Sequence, residues 1–78
     1  MLSAMDYLHI LPVKGRVEGF LQEEAPKPFC DACIAGALYL SNEHVNNKTR
    51  ELAESSLFHR RDGFCAKCDE RRLVISHA

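Results

Sequence analysis

Two cysteine pairs, Cys30-Asp31-Ala32-Cys33 and Cys65-Ala66-Lys67-Cys68, constrain the fold of this chain more than any other feature. The two-residue spacing lets both sulfurs of a tight turn point at one ion, and two such pairs supply the four thiolates of a tetrahedral zinc site. The chain holds four cysteines in all, so none is left over. The stretch between the pairs, positions 34 to 64, is longer than the about 15–20 residues of the commonest four-cysteine pattern. It must therefore fold and bring its own ends back together.

Size makes a staple useful. The chain has 78 residues, near the length at which a hydrophobic core alone gives only about 3–5 kcal/mol. A composition of 46% hydrophobic and 27% charged residues is that of a globular chain, and no apolar run is long enough to span a bilayer. Residues 1–11 lack a positively charged leader and a small-residue cleavage site, so the expected location is the cytoplasm. A reducing compartment keeps thiols from pairing as disulfides, which favours metal as the use of the cysteines.

The formal net charge is -1, and a zinc ion held by four thiolates lowers it further. A net acidic chain argues against nucleic acid as a partner. The distribution argues differently. From position 57 to 78, Arg60, Arg61, Lys67, Arg71 and Arg72 outnumber Asp62, Asp69 and Glu70.

Residues 1–11 are apolar without a clean period and read as an arm of undetermined structure, followed by one domain over 12–78. Pro12 suits a helix start. Val13, Val17, Phe20 and Leu21 then form one stripe of a helix ending near Glu24. Gly15 and Gly19 weaken this helix by about 1 kcal/mol each, so packing must hold it. Ala25-Pro26-Lys27-Pro28 breaks the pattern, and Phe29-Cys30 reads as a short extended piece.

Asp31 is placed to cap or charge-stabilise a second helix that carries Cys33 in its first turn, with Cys33, Ile34, Ala37, Leu38 and Leu40 facing one way. Ser41 is a good N-cap for a third helix, Asn42 to about Ser55, with Glu43 in its first turn. Its core stripe is Val45, Thr49, Leu52, Ala53 and Ser56. Two strands follow, rich in β-branched and aromatic residues, with the second cysteine pair as the distal end of their hairpin and Asp62-Gly63 as a bulge before it.

This succession of elements resembles the winged helix-turn-helix, with the helix-turn-helix over 31–55 and the wing over 57–77. The run Phe29-Cys-Asp-Ala-Cys-Ile, the helix opened after Tyr39-Leu-Ser, and Arg60-Arg61-x-Gly63-x-Cys65-x-x-Cys68 followed by Arg72-Leu-Val are similar to those of small bacterial proteins with a zinc-stapled winged helix. The resemblance implies an α+β fold of three helices and a C-terminal β-hairpin, with Cys30, Cys33, Cys65 and Cys68 on one structural zinc ion. It also implies double-stranded DNA as the partner, in transcription control. The third helix would enter the major groove with Asn46, Asn47, Lys48 and Arg50, while Arg60, Arg61, Arg71 and Arg72 of the wing touch phosphates.

The plain structural alternatives are a solvated helix face and edge-strand charges that block sheet-to-sheet aggregation. A protein-protein interaction module or adaptor on the same scaffold is the alternative function, and the apolar arm suits a homodimer contact. No enzyme is expected, because four thiolates close the metal shell. The zinc-deaminase pattern fails as well, since Pro28 precedes Phe29 rather than a cysteine and no His-x-Glu occurs. His44 and His59 are not needed as ligands, and nothing points to a membrane or a small-molecule substrate.

Overall fold

A computed structural model describes residues 12–78; the expectations placed on residues 1–11 lie outside it. Three helices, α1 (Val13–Glu24), α2 (Asp31–Leu38) and α3 (Asn42–Leu52), accompany the strands β1 (Phe29–Cys30), β2 (Phe58–Phe64) and β3 (Arg71–His77). The strands form one antiparallel sheet in the order β1-β3-β2. The α+β class, the three helices and the C-terminal hairpin are as the sequence suggests. The short piece before α2 is more than a connector, because it pairs with the last strand, Phe29 against Ile75 and Cys30 against Val74.

The core lies between the helices and the sheet. Val17 and Leu21 of α1, Ile34 of α2, Val45 and Leu52 of α3, and Phe29, Phe58, Val74 and Ile75 of the strands are all buried. Each such side chain contributes roughly 1.5–3 kcal/mol when removed from water, which offsets the two glycines of α1. Phe20 and Phe29 add an edge-to-face contact, with ring centroids 5.0 Å apart.

Helix ends follow local chemistry. Ser41 Oγ accepts the backbone N–H of His44 at 3.1 Å and caps α3, as expected. Helix α2 ends at Tyr39 in the left-handed conformation (φ 58°), with Leu40 N–H donating to Ala35 O at 2.9 Å. A tyrosine there is unfavourable by about 1–2 kcal/mol. The end of α2 is also held from outside, since the Arg16 guanidinium on α1 donates to the Leu38 carbonyl at 2.7 Å.

Two local expectations need correction. Helix α3 stops at Leu52 rather than near Ser55. Beyond it, Glu54 N–H reaches Glu51 O and Ser55 N–H reaches Leu52 O, the tighter bonds of a closing turn, and Ser56 is exposed. The two serines compete for backbone groups and favour that turn over another helical one. Asp62-Gly63 makes no bulge: Asp62 pairs with Leu73 and Gly63 with Arg72 in unbroken register. A Cβ on Gly63 would lie 3.3 Å from Val74 Cγ2, so the glycine makes room for a core valine. Asp31 stands in the first turn of α2, where its charge favours the helix N-terminus as expected; it makes no cap bond, and its carboxylate is also used elsewhere.

Candidate metal centre

The two cysteine pairs sit where two elements begin and end. Cys30 closes β1 and Cys33 lies in the first turn of α2, while Cys65 directly follows β2 and Cys68 sits in the turn before β3. Hydrogen bonds join the two knuckles. Ala66 N–H donates to Pro28 O at 2.7 Å, and Cys30 N–H donates to Cys65 Sγ at 3.4 Å. The second knuckle is itself closed by Cys65 N–H to Glu70 O and Asp69 N–H to Cys65 O, with Asp69 at φ 63°.

All four sulfurs lie within 4.8 Å of one another, and Cys30 Sγ is 4.0 Å from Cys68 Sγ. A tetrahedral site with metal–sulfur bonds of about 2.3 Å requires sulfurs about 3.8 Å apart. The cysteines are free thiols with no disulfide among them. The cluster can hold one metal ion, and the donor set fits: four soft sulfurs with no histidine or carboxylate in the group. Cys30 and Cys65 are buried, and Cys33 and Cys68 are half-buried.

The surroundings prepare the sulfurs unequally. Burial raises the Cys65 thiol, but N–H donors from Cys68, Cys30 and Lys67 outweigh it and lower the group to about 6. Burial pushes Cys33 up to about 12, helped by crowding from the other three sulfurs. Burial also raises Cys30, against a backbone N–H from Cys33. The Cys65 thiolate is thus favoured before any metal arrives, and Cys30 and Cys33 would give up protons to one.

Beside this cluster lies an arrangement that sequence reasoning missed. The Asp31 carboxylate accepts Asn46 Nδ2 at 2.8 Å and Thr49 Oγ1 at 2.9 Å, and Arg60 lies 3.7 Å away. Thr49 is fully buried, and its single hydroxyl proton is shared between Asp31 Oδ1 and Asn46 O, the latter 3.2 Å away. One carboxylate therefore links the start of α2, the middle of α3 and β2. The partners stand far from Asp31 in sequence, so no local rule finds them. The available signal was the i, i+3 spacing of Asn46 and Thr49 on the inner side of α3.

The residues singled out for DNA divide by their engagements. Asn46 and Arg60 are half-buried against Asp31. Lys48 is 3.6 Å from Glu51, Arg61 Nη1 donates to Ser76 Oγ at 3.1 Å, and Arg72 Nε donates to Glu70 at 3.0 Å. Asn47, Arg50 and Arg71 are exposed. His44 and His59 are exposed and stand outside the sulfur cluster. None of the described helices is long and apolar enough to cross a membrane. No protein-family model, curated protein or solved structure matches this chain.

Proposed function

We propose that the chain is a zinc-stapled winged-helix domain that binds double-stranded DNA and acts without catalysis, in transcription control. The observation that carries this reading is the path of the chain: helix, short strand, helix, tight turn, helix, two-stranded hairpin, with the first strand added beside the last. That order and sheet arrangement support the winged-helix reading, in which α2 and α3 would be the helix-turn-helix and β2–β3 the wing.

Zinc is the metal in this reading because four thiolates at tetrahedral spacing suit it and close its shell. The ion would be structural, with Cys30, Cys33, Cys65 and Cys68 as its ligands. Helix α3 turns Glu43, Asn47 and Arg50 to solvent. Asn47 and Arg50 are the side chains offered to base edges, and Arg61, Arg71 and Arg72 those offered to phosphates. Asn46 and Arg60 would act indirectly, by fixing α3 and the wing through Asp31.

A second reading has its own support. Phe64 and Leu73 are 64% and 44% exposed on the hairpin, and three of the candidate cations are already paired with carboxylates. A protein-interaction module would use such a surface. Fluorescence anisotropy of zinc-loaded protein on labelled duplex distinguishes the two. DNA binding predicts an affinity that falls steeply with salt and weakens about tenfold or more on Arg50→Ala. Absence of binding to mixed-sequence duplex at low salt rejects the DNA reading in favour of a protein partner.

A further inference from the structure

From the edge of the sheet we infer that β2 pairs with β2 of a second copy of this chain, joining two sheets around a two-fold axis. In the order β1-β3-β2, the strand β2 has a sheet neighbour on one side only among the described residues. Its pairing side can be read from the ladder. Ala78 N–H donates to Leu57 O, and Cys65 N–H donates to Glu70 O, so the odd-numbered residues of the strand bond to β3. The N–H and C=O groups of Phe58, Arg60, Asp62 and Phe64 therefore point away from β3, toward the open edge. Of these eight, the Phe58 N–H is already used, donating to Ser55 O at 3.3 Å.

The side chains of those same residues make the edge complementary to itself. Antiparallel pairing of two copies centred on Arg61 sets Phe58 opposite Phe64 of the second copy and Arg60 opposite Asp62 of the second copy. Both pairs join residues whose backbone groups point outward, as the hydrogen-bond pattern demands. The two-fold repeats each pair, so opposite charges meet twice, and the exposed Phe64 ring is brought twice to the edge beside Phe58, whose own ring stays in the core.

Sliding the strands by two residues one way sets Arg60 against Arg60, and by two the other way sets Asp62 against Asp62. A slide by one mismatches the outward groups. The sequence of β2 thus favours one closed dimer and disfavours the shifted registers through which an open edge aggregates. Two details fit. Arg60 already faces Asp31 at 3.7 Å, and its guanidinium has donors for a second carboxylate. Arg61 would meet its own copy at the axis, but its guanidinium leans over β3 to Ser76 Oγ at 3.1 Å, away from the edge. Pairing would also cover Phe64, which is 64% exposed in the single chain.

The test is sedimentation equilibrium of the zinc-loaded chain from about 10 µM to 1 mM, a range suited to a small interface, with amide exchange measured at both ends. The expected result is a mass approaching twice 8.8 kDa, with the amides of Arg60, Asp62 and Phe64 slowed at high concentration. Asp62→Lys places like charges opposite each other twice and should weaken association about tenfold or more. Asp62→Pro removes one outward N–H and should have the same effect while sparing the β3 ladder. Zinc content and circular dichroism check that both variants fold. Since exchange is read on the unaltered chain, a misfolded variant leaves the test intact. A monomer at all concentrations overturns the inference. So does a dimer whose Arg60, Asp62 and Phe64 amides exchange as in the monomer. Neither result depends on DNA.

Discussion

Asp31 shows how one residue can be placed for one role and hold another. At the first position of α2 its charge favours the helix N-terminus, yet both carboxylate oxygens are engaged by α3. Thr49→Val should therefore be costly although it keeps the shape of the side chain. It removes the donor to Asp31 Oδ1 and leaves that oxygen short of a partner, at about 1–3 kcal/mol. Urea unfolding of zinc-saturated protein measures this, and Arg50→Ala on the outer side of α3 should change stability by less than about 0.5 kcal/mol.

The sulfurs invite a second residue-level test. Without metal, Cys65 at about 6 lies below an ordinary thiol near 9.0. Its contribution to stability is present above that ordinary value and is lost as pH falls through about 6. Cys33 at about 12 runs the other way, its contribution present below the ordinary value and lost as pH rises through 12. At pH 7 both Cys33 and Cys30 carry protons that an incoming zinc ion would have to displace. Zinc affinity should accordingly rise with pH, with at least two protons released per chain. Calorimetric titration in two buffers of different ionisation enthalpy gives that count.

At the level of elements, legibility followed the range of the interaction. Helix α1 and the cap of α3 were readable because periodicity and Ser41 act within a few residues. The cluster of sulfurs was readable because its spacing is itself the chemistry. Gly63 was misjudged because Asp-Gly is a turn signal by local rules, whereas here the glycine lies within a strand and clears space for Val74, contributed by β3. The end of α3 was misplaced by three residues, since Ala53 and Glu54 continue a helix as readily as they enter a turn. Arg16 over the end of α2 and Asp31 against α3 join elements far apart in sequence, and neither has a local signature.

For the molecule as a whole, the cluster ties the start of α2 to the tip of the hairpin. A structural zinc site supplies about 10–16 kcal/mol of apparent binding free energy, against about 3–5 kcal/mol for a core in a chain of this size. If zinc fills the cluster as proposed, its binding would outweigh the core. Chelation should unfold the helices together with the hairpin, seen as loss of the helical circular dichroism signal, and added zinc should restore it. A helical signal that survives chelation would show that the core stands without the metal.

The pairing of β1 with β3 also sets a clock during synthesis. At about 5–20 residues per second, the interval between making Cys30 and making its neighbour Val74 is roughly 2–9 s. For most of it, until Cys65 and Cys68 are made, Cys30 and Cys33 have left the catalytic centre of the ribosome without the second pair. A nascent chain arrested before Cys65 should label with thiol reagents at both positions, and one extended past β3 in the presence of zinc should not. Closure of this domain is then an event that follows translation of β3, and on the zinc reading the supply of metal at that moment would govern how much of it folds.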